Sequence, residues 1–444
     1  MRAGSTKARA VLGLVVVAAL VLAGGLTFLA VHSSSDGAPA VTGAAPSTAT
    51  DTGSAPGDAP VTSVPQGPPL YVAPQAAGSG DGSSWADAGE LADLPDLVSQ
   101  RPGGGEIWLR ADTGPYQVED SLRISAGGAD GSPVVVRGVD VDGRPSPAVL
   151  QGTRTSPYDP DGESGGDVFS LRGGASHLVF RDLAFENVDN AFLAAGDATD
   201  LVIADTSATN VRRFFENAKS DQEPSADVSG LVIRDVTVTG FSKRVVRLRY
   251  GSNDVLLEDV IGDSQQQDGD DFAIGVHLQD DVHNVMLRRV TMSNTRDSLH
   301  DYWNGDGFAT ERDVHDITFE DTTASGNTDA GYDLKSTQTT LVDATSRDNK
   351  RNFRFWADDL TARGCQGLDP HKRGGSSSQA QVWLGKGARV QLDGCTFRDT
   401  DPETVVFVLE PDARLSVTGG AIEHAGDLKA LQQGATVDLQ DVTR

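Results

Sequence analysis

The chain has 444 residues, 38% of them hydrophobic, with 50 glycines, only two cysteines and a formal net charge of −27. This charge excludes an extended nucleic-acid or anionic-membrane interface, because phosphate contacts require clustered lysines and arginines. It favours metal cations, and an acidic polymer would need a local cation patch or a bound metal in order to dock.

Residues 1–31 are interpreted as a cytoplasmic tip followed by a membrane anchor. Arg2, Lys7 and Arg9 precede an apolar run of 22 residues, Ala10 to Val31, and about 20 residues span a bilayer core. Positive charges before the run predict that the N-terminus stays in the cytoplasm. The expected location is the cell membrane, single-pass with the C-terminal domain outside. The alternative is a cleaved signal peptide, which would make the protein secreted.

Residues 32–69 predict a disordered linker rich in Pro, Ser, Thr and Ala, because they contain no apolar period that could bury surface. The folded domain is expected over 70–444. Apolar residues at helical spacing predict one amphipathic helix over 86–100, at Leu91, Leu94, Leu97 and Val98. This helix is expected to cap the first coil of the domain, which would otherwise expose unpaired backbone groups.

From Leu178 onwards one pattern recurs: apolar, any, apolar, two turn residues, apolar, any, apolar. Steps of 22 to 24 residues are interpreted as single coils, and steps near 30 as coils with a loop insertion. The turn position, which Arg289 fills in one repeat, is otherwise marked by Asp182, Asp205, Asp235, Asp259, Asp321 and Asp343. This period indicates a solenoid of stacked coils. Long amphipathic helices and a Leu/Asn ladder are both absent from the sequence, so the prediction is an all-β parallel β-helix.

The stretch from Asn304 to Trp356 is the repeat region richest in charged turns. Alignment on the apolar residues places Phe308, Tyr332 and Phe353 in one inward position, at separations of 24 and 21. Because strand side chains alternate between two faces, Asp333 and Arg354 then point outward on adjacent coils. The same alignment places Asp306, Asp329, Lys335 and Trp356 close to Asp333 and Arg354. The sequence therefore predicts a functional site on one outer face.

Two groups of segments resemble known proteins. The opening segments YVAP, GSGDGSSW, EIWLRADTGPY and SPVVVRGVD are similar to those of secreted right-handed parallel β-helix proteins of the pectate-lyase-like class, over about Leu70 to Arg444. NGDGFA and NTDAGYDLK resemble the calcium-site motifs of family 9 polysaccharide lyases, in which aspartates hold one calcium ion and a lysine one coil later is the base. The resemblance implies a right-handed solenoid and three metal ligands, Asp306, Asp329 and Asp333.

Two positions depart from that family pattern. Ala330 stands where the second motif carries an acid, and Arg354 stands where the family has its lysine. Arginine is a poor base because its ordinary pKa lies far above neutral pH, although other pectate-lyase families use arginine there. Lys335 is a second candidate. The catalytic assignment is therefore Arg354 or Lys335.

The predicted chemistry is β-elimination in a uronate chain, which requires loss of the C5 proton beside a carboxylate. Calcium would neutralise that carboxylate, and a basic side chain would take the proton. Three clustered carboxylates need a metal or nearby cations to limit their repulsion. The expected cofactor is Ca²⁺, and the residues expected to bind substrate are Arg351, Arg247, Arg249, Trp303 and Trp356.

Some of these residues have plainer interpretations. Arg247 and Arg249, two coils away, could instead pair with turn acids, and Trp303 could be a packing aromatic. Cys365 and Cys395 lie 30 residues apart, which suits a disulfide between neighbouring coils of an exported protein. The alternative is that Cys395, in an inward position, is a buried thiol.

These observations predict an extracytoplasmic, calcium-assisted lyase of an acidic, uronate-containing polysaccharide. A glycoside hydrolase or a uronate epimerase on the same scaffold is the nearest enzymatic alternative. A non-catalytic glycan-binding or structural envelope protein is the alternative from another class. The expected partners are acidic polysaccharide and, through the N-terminal helix only, the membrane; nucleic acid is not expected, and the protein is expected to be a monomer.

Overall fold

The computed structural model describes residues 67–217 and 225–444. The anchor predicted over 1–31 and nearly all of the linker predicted over 32–69 lie outside the described residues. Within these residues, no helix is both long enough and apolar enough to cross a membrane.

The helix predicted over 86–100 is shorter in the structure. Two 3₁₀ turns, Trp85–Asp87 and Leu91–Asp93, precede a single α-helix, α1 (Leu94–Ser99). Pro95 explains the late start, because proline is tolerated in the first turn of a helix and breaks its interior. The apolar side chains Leu94, Leu97 and Val98 are buried in the core. The capping role of this segment stays a prediction.

The strands of the described chain pair into one parallel sheet. In chain order they are β1 (Leu70–Val72), β2 (Gly105–Arg110), β3 (Tyr116–Gln117), β4 (Leu122–Ile124), β5 (Val134–Val139), β6 (Ala148–Gln151), β7 (Phe169–Leu171), β8 (Leu178–Ala194), β9 (Ala198–Thr199), β10 (Leu201–Glu216), β11 (Val228–Ser229), β12 (Val232–Leu248), β13 (Asn253–Asp263), β14 (Ile274–Leu278), β15 (His283–Arg288), β16 (Thr291–Ser293), β17 (Asp306–Thr310), β18 (His315–Glu320), β19 (Thr323–Ser325), β20 (Ala330–Leu334), β21 (Thr337–Val342), β22 (Thr345–Arg347), β23 (Arg351–Phe355), β24 (Leu360–Arg363), β25 (Gln366–Leu368), β26 (Ala380–Leu384), β27 (Arg389–Asp393), β28 (Thr396–Asp399), β29 (Val405–Leu409), β30 (Arg414–Thr418), β31 (Ala421–His424), β32 (Lys429–Leu431) and β33 (Thr436–Gln440).

The strands form three faces of a parallel β-helix. β8, β10 and β12 each run around all three faces, and later coils divide the same path into separate strands. The first face continues through β15, β18 and β21, the second through β16, β19 and β22, and the third through β14, β17, β20, β23 and β26. The predicted all-β solenoid is confirmed.

A residue in the left-handed backbone conformation forms the bend between the first and second faces. The seven turn positions of the repeat all have positive φ, between 49° and 54°, at Asp182, Asp205, Asp235, Asp259, Arg289, Asp321 and Asp343. Aspartate tolerates this conformation better than most residues because its short side chain can bond to nearby backbone. Later coils carry glycine at the bend, as at Gly364 and Gly394, where the positive φ has no Cβ cost. The repeated aspartate is therefore a backbone feature.

Inward side chains stack along the solenoid axis. On the third face, Phe308, Tyr332 and Phe353 are buried and lie in register, with successive ring centroids 4.9 and 5.3 Å apart. Next to the bend, Cys365 and Cys395 of adjacent coils form a disulfide with Cα atoms 4.5 Å apart. The bridge confirms the predicted pairing and excludes the buried free thiol.

Candidate functional site

The register of the third face brings the predicted site residues together. Asp333 pairs with Ala309 on one side and with Arg354 on the other, and Arg354 pairs in turn with Trp383. Their inward neighbours Tyr332 and Phe353 are fully buried. Parallel pairing keeps equivalent side chains of successive coils side by side, so Asp333, Arg354 and Trp383 form one outward column.

A cluster of acids and guanidinium groups lies on this column and in the turn before it. Arg354 Nη1 lies 3.1 Å from Asp329 Oδ2 and 3.5 Å from Asp333 Oδ2. Arg351 Nη1 binds the other oxygen of Asp329. Lys350 Nζ is 3.9 Å from the same carboxylate. Asp329 is therefore neutralised by three cations from the next coil.

Two tryptophans cover the guanidinium of Arg354. Its Cζ lies 4.6 Å from the ring centroid of Trp356 and 5.0 Å from that of Trp383. Trp356 also donates its Nε1–H to Asp333 Oδ1 at 2.5 Å. Cation–π contacts and charge-assisted hydrogen bonds are strongest where water is excluded. We call Asp329, Asp333, Arg351, Arg354 and Trp356 the third-face cluster.

Asp306 lies at the start of β17, beneath this cluster. It is buried, and its Oδ1 accepts a hydrogen bond of 2.7 Å from the backbone N–H of Ala330. Burial and the nearby charges of Asp333 and Asp329 raise the pKa of Asp306 well above its ordinary value. Burial also raises the pKa of Asp333, although Arg354 opposes the shift. The Asp306 carboxyl therefore ionises less readily than an exposed aspartate.

The environment of Arg354 does not favour the base role predicted for it. Burial alone would lower the pKa of Arg354, but the charges of Asp333 and Asp329 outweigh burial and raise it. A general base must accept a proton near the working pH, and this shift moves the guanidinium further from that condition. Arg354 is better suited to stabilise a negative charge.

Lys335, the second candidate base, forms an ion pair. Its Nζ lies 2.8 and 2.9 Å from the two carboxylate oxygens of Glu311. Although burial opposes it, hydrogen bonding to His277 and Lys335 lowers the pKa of Glu311 to about 2. The carboxylate therefore stays ionised and holds the side chain of Lys335 in an ion pair.

The three predicted calcium ligands do not fit that ion as arranged here. Calcium takes six to eight oxygen ligands, whereas Asp329 is bound by Arg351 and Arg354, and Asp333 is bound by Trp356 and Arg354. Within residues 67–217 and 225–444, a different group of acidic and histidine side chains has ligand atoms that all lie within 4.8 Å of one another. Guanidinium groups supply the compensating charge at this cluster, and calcium dependence stays a prediction.

The other predicted substrate-binding residues are more dispersed. Arg247 lies on the same outward column, three strands before Asp333, and its Nε donates to Gln279 Oε1 at 2.8 Å. Arg249 turns towards Asp280 Oδ2 at 3.0 Å. The Trp303 ring packs over Gly374 and Gly375, where no side chain would fit beneath it. Both arginines therefore pair with polar side chains, and Trp303 closes a contact between two loops.

Several residues of the third face were not predicted from the sequence. Trp383 and His277 occupy the outward column between apolar inward neighbours, so the patterns VWL and VHL contained the signal. Arg244 donates to His277 Nδ1 at 3.3 Å, and burial lowers the pKa of His277 to about 3, so its ring is neutral. Asp297 is buried in the loop before β17, where burial raises its pKa to about 6. Only the fold places this loop beside the cluster.

Solved structures share this fold. The A-module of mannuronan C-5 epimerase AlgE4 from Azotobacter vinelandii aligns with a TM-score of 0.53 and 16% identity, covering 78% of this chain and 94% of that chain. The Agl-KA catalytic domain aligns with a TM-score of 0.54 and 12% identity, covering 79% and 65%. Pectate lyase Pel9A aligns with a TM-score of 0.48 and 15% identity, covering 70% and 78%. The sequence matches no protein-family model and no curated protein. At these identities, the first two alignments show the parallel β-helix fold.

Proposed function

We propose that the protein acts on an acidic, uronate-containing polysaccharide laid across its third face, and that it cleaves this chain by β-elimination. The observation that carries the proposal is the desolvated cluster of Arg351, Arg354 and Lys350 around Asp329, flanked by Trp356 and Trp383. On a chain of net charge −27, such a local cation patch is what an anionic polymer requires in order to dock.

The cations act on the substrate carboxylate. A uronate carboxylate can compete with Asp329 for Arg351 and Arg354, whose planar guanidinium groups suit bidentate binding of a carboxylate. Neutralising this group favours removal of the adjacent C5 proton, because negative charge develops there in the transition state. The tryptophans provide apolar surface on which a sugar ring can pack.

Lys335 is proposed as the base. In its neutral form the amine takes the C5 proton, the C–H electron pair forms the C4–C5 double bond, and the C4–O bond breaks while the leaving oxygen takes a proton from solvent. Substrate binding must first displace Glu311 from the amine, since the ion pair of 2.8 Å occupies it. Because only a neutral amine can accept a proton, the rate is expected to rise with pH.

Non-catalytic glycan binding is the second candidate. It is favoured by one observation: Arg354 and Lys335, the two candidate bases, are both paired with carboxylates. A binding module needs aromatics and hydrogen-bonding groups on the same column but no free base.

The test is incubation of the full chain with a panel of uronate polysaccharides, with and without chelator. Elimination yields an unsaturated product that is detected by its ultraviolet absorbance. Loss of activity with chelator, restored by Ca²⁺, would support the calcium prediction. Chain shortening without the unsaturated product would indicate a hydrolase, altered uronate composition without shortening an epimerase, and binding alone the second candidate.

The variant Arg354→Gln is expected to lower kcat/KM by about 10²- to 10³-fold, the usual cost of removing one charge-stabilising donor. The matched control is Arg398→Gln, which removes an exposed arginine paired with Glu423 on the second face. Equal activity of the two variants would overturn the assignment of the third-face cluster, and failure to bind any uronate polymer would overturn the function.

We also propose that the protein works outside the cytoplasm as a monomer, held by the N-terminal segment predicted as an anchor. Cell fractionation, with protease added to intact cells, tests this location separately from activity.

A further inference from the structure

Two histidines stack on the first face, away from the third-face cluster. His283 and His315 begin β15 and β18 and pair directly in the sheet register. Their rings lie 4.9 Å apart and are inclined by only 7°. Asp281 lies in the turn just before β15. Neither the sequence motifs nor the proposed function uses these three residues.

The hydrogen bonds of both rings leave the same nitrogen available. His315 Nδ1 lies 2.7 Å from the Asp316 carboxylate, and His283 Nδ1 lies 2.8 Å from the backbone oxygen of Asp281. Both partners are acceptors, so each ring donates its Nδ1–H, which leaves a lone pair on Nε2. Histidines that bind metals usually have this second partner, which fixes the tautomer and the orientation of the ring.

A carboxylate completes the group. Asp281 Oδ1 lies 3.5 Å from His315 Nε2, and the ligand atoms of the three residues all lie within 4.8 Å of one another. Among the described residues, this is the one group of three or more acidic, histidine or cysteine side chains that meets this distance. The Asp281 side chain is 70% exposed, so small rotations at the surface can bring the ligands to metal–ligand distances of about 2.0 to 2.2 Å.

We propose that Asp281, His283 and His315 bind one divalent transition-metal ion on the first face. Two imidazoles and a carboxylate suit Zn²⁺, Ni²⁺ or Cu²⁺ rather than Ca²⁺ or Mg²⁺, which prefer oxygen ligands alone. Three protein ligands leave a coordination position for water. Since the histidines belong to successive coils, the ion joins those coils, and the site is independent of the chemistry proposed for the third face.

The test is isothermal titration of the full chain, free of any polyhistidine tag, with ZnCl₂. The wild type is expected to bind one ion at this site, and the double variant His283→Gln/His315→Gln is expected to bind one ion fewer. The control is His177→Asn. His177 also contacts a carboxylate, that of Asp200, but it does not belong to the group of Asp281, His283 and His315. Asparagine also tolerates the positive φ at that position.

A second measurement reports the ligand atoms directly. With one equivalent of Cu²⁺, electron paramagnetic resonance is expected to show two coupled imidazole nitrogens in the wild type and one in His315→Gln. Asp316→Asn, which weakens the acceptor for His315 Nδ1, is expected to lower the affinity by about 10- to 100-fold without changing the stoichiometry. Undiminished binding by the double variant, an equal loss in His177→Asn, or no binding by the wild type would each overturn the site.

Discussion

Asp297 illustrates how one buried side chain responds to its surroundings. Its carboxylate accepts the backbone N–H of Phe272 at 2.8 Å and is otherwise enclosed by protein, with 1% of the residue exposed. Burial raises its pKa to about 6, and the neighbouring acids Asp271 and Asp268 add to the shift. The folded protein therefore retains a proton at a pH where the unfolded chain has lost it.

This difference predicts a pH dependence of stability with a definite sign. An ordinary aspartate has a pKa of about 3.9, so between about pH 4 and pH 6 only the folded state binds this proton, and the contribution of Asp297 to the free energy of unfolding falls as pH rises. Asp297→Asn keeps the acceptor for Phe272 and removes this contribution, so it is expected to stabilise the protein by up to about 3 kcal/mol at pH 7. Urea unfolding at pH 4 and pH 7 measures both quantities.

The control for this experiment is Asp301→Asn. Asp301 lies in the same loop, is exposed and has a positive φ that asparagine accepts. If the difference in the free energy of unfolding between pH 4 and pH 7 is unchanged in Asp297→Asn, or changes equally in both variants, another group titrates in this range.

At the scale of elements, the aromatic stack of β17, β20 and β23 holds the outward column in register. Phe308, Tyr332 and Phe353 lie directly behind the residues of that column, so a shift of one ring moves Asp333 or Arg354 as well. Side chains in a close-packed interior leave little room for independent movement. Packing inside the solenoid and the geometry outside it are therefore coupled.

Phe353→Ala is expected to lower the free energy of unfolding by about 3 to 5 kcal/mol, because it leaves a cavity in the stack. It is also expected to weaken polysaccharide binding, since the adjacent Arg354 loses its support. Tyr332→Phe serves as the control: it keeps the ring and removes the hydroxyl, which contacts Thr322 at 2.9 Å and donates to the backbone oxygen of Thr345 at 3.4 Å, at a cost of about 0.5 to 1.5 kcal/mol. Denaturant unfolding and binding titrations measure the two effects. Full binding by a destabilised Phe353→Ala would contradict the coupling.

In the described domain as a whole, the strands of each coil pair only with strands of neighbouring coils, while a few loop contacts, such as Trp303 with Gly374, reach further. Stability in such a solenoid is approximately a sum of local terms. The disulfide between Cys365 and Cys395 closes a loop of 30 residues, and a bridge of this span contributes roughly 2 to 4 kcal/mol. Its effect should therefore be confined to the coils near it.

The double variant Cys365→Ala/Cys395→Ala is expected to increase amide hydrogen exchange in β24, β25, β27 and β28, while β8 and β10 keep their protection. Hydrogen exchange read by mass spectrometry resolves these segments. The disulfide-intact protein, measured before and after mild reduction, provides a comparison without mutation. A uniform loss of protection over all strands would show that the domain unfolds as one cooperative unit.

Much of the fold follows from residue patterns alone. Alternating apolar residues and a recurrent turn aspartate predict strands, bends and a period, because strand geometry repeats every two residues and a left-handed bend favours aspartate or glycine. The same alternation places Asp333 and Arg354 on one outer face. The length of the helix over 86–100 was predicted less well, since Pro95 limits where it can start.

Residue patterns alone are enough to predict which side chains face outward and which coils follow one another. The partners of these side chains emerge only from the folded chain: Asp329 with Arg351 and Arg354, Lys335 with Glu311, and His283 with His315. The physical reason is that alternation sets the face of a residue within its own strand. The neighbours of that residue depend on the lengths of the intervening turns, and its pairing depends on distances across coils that no local pattern contains.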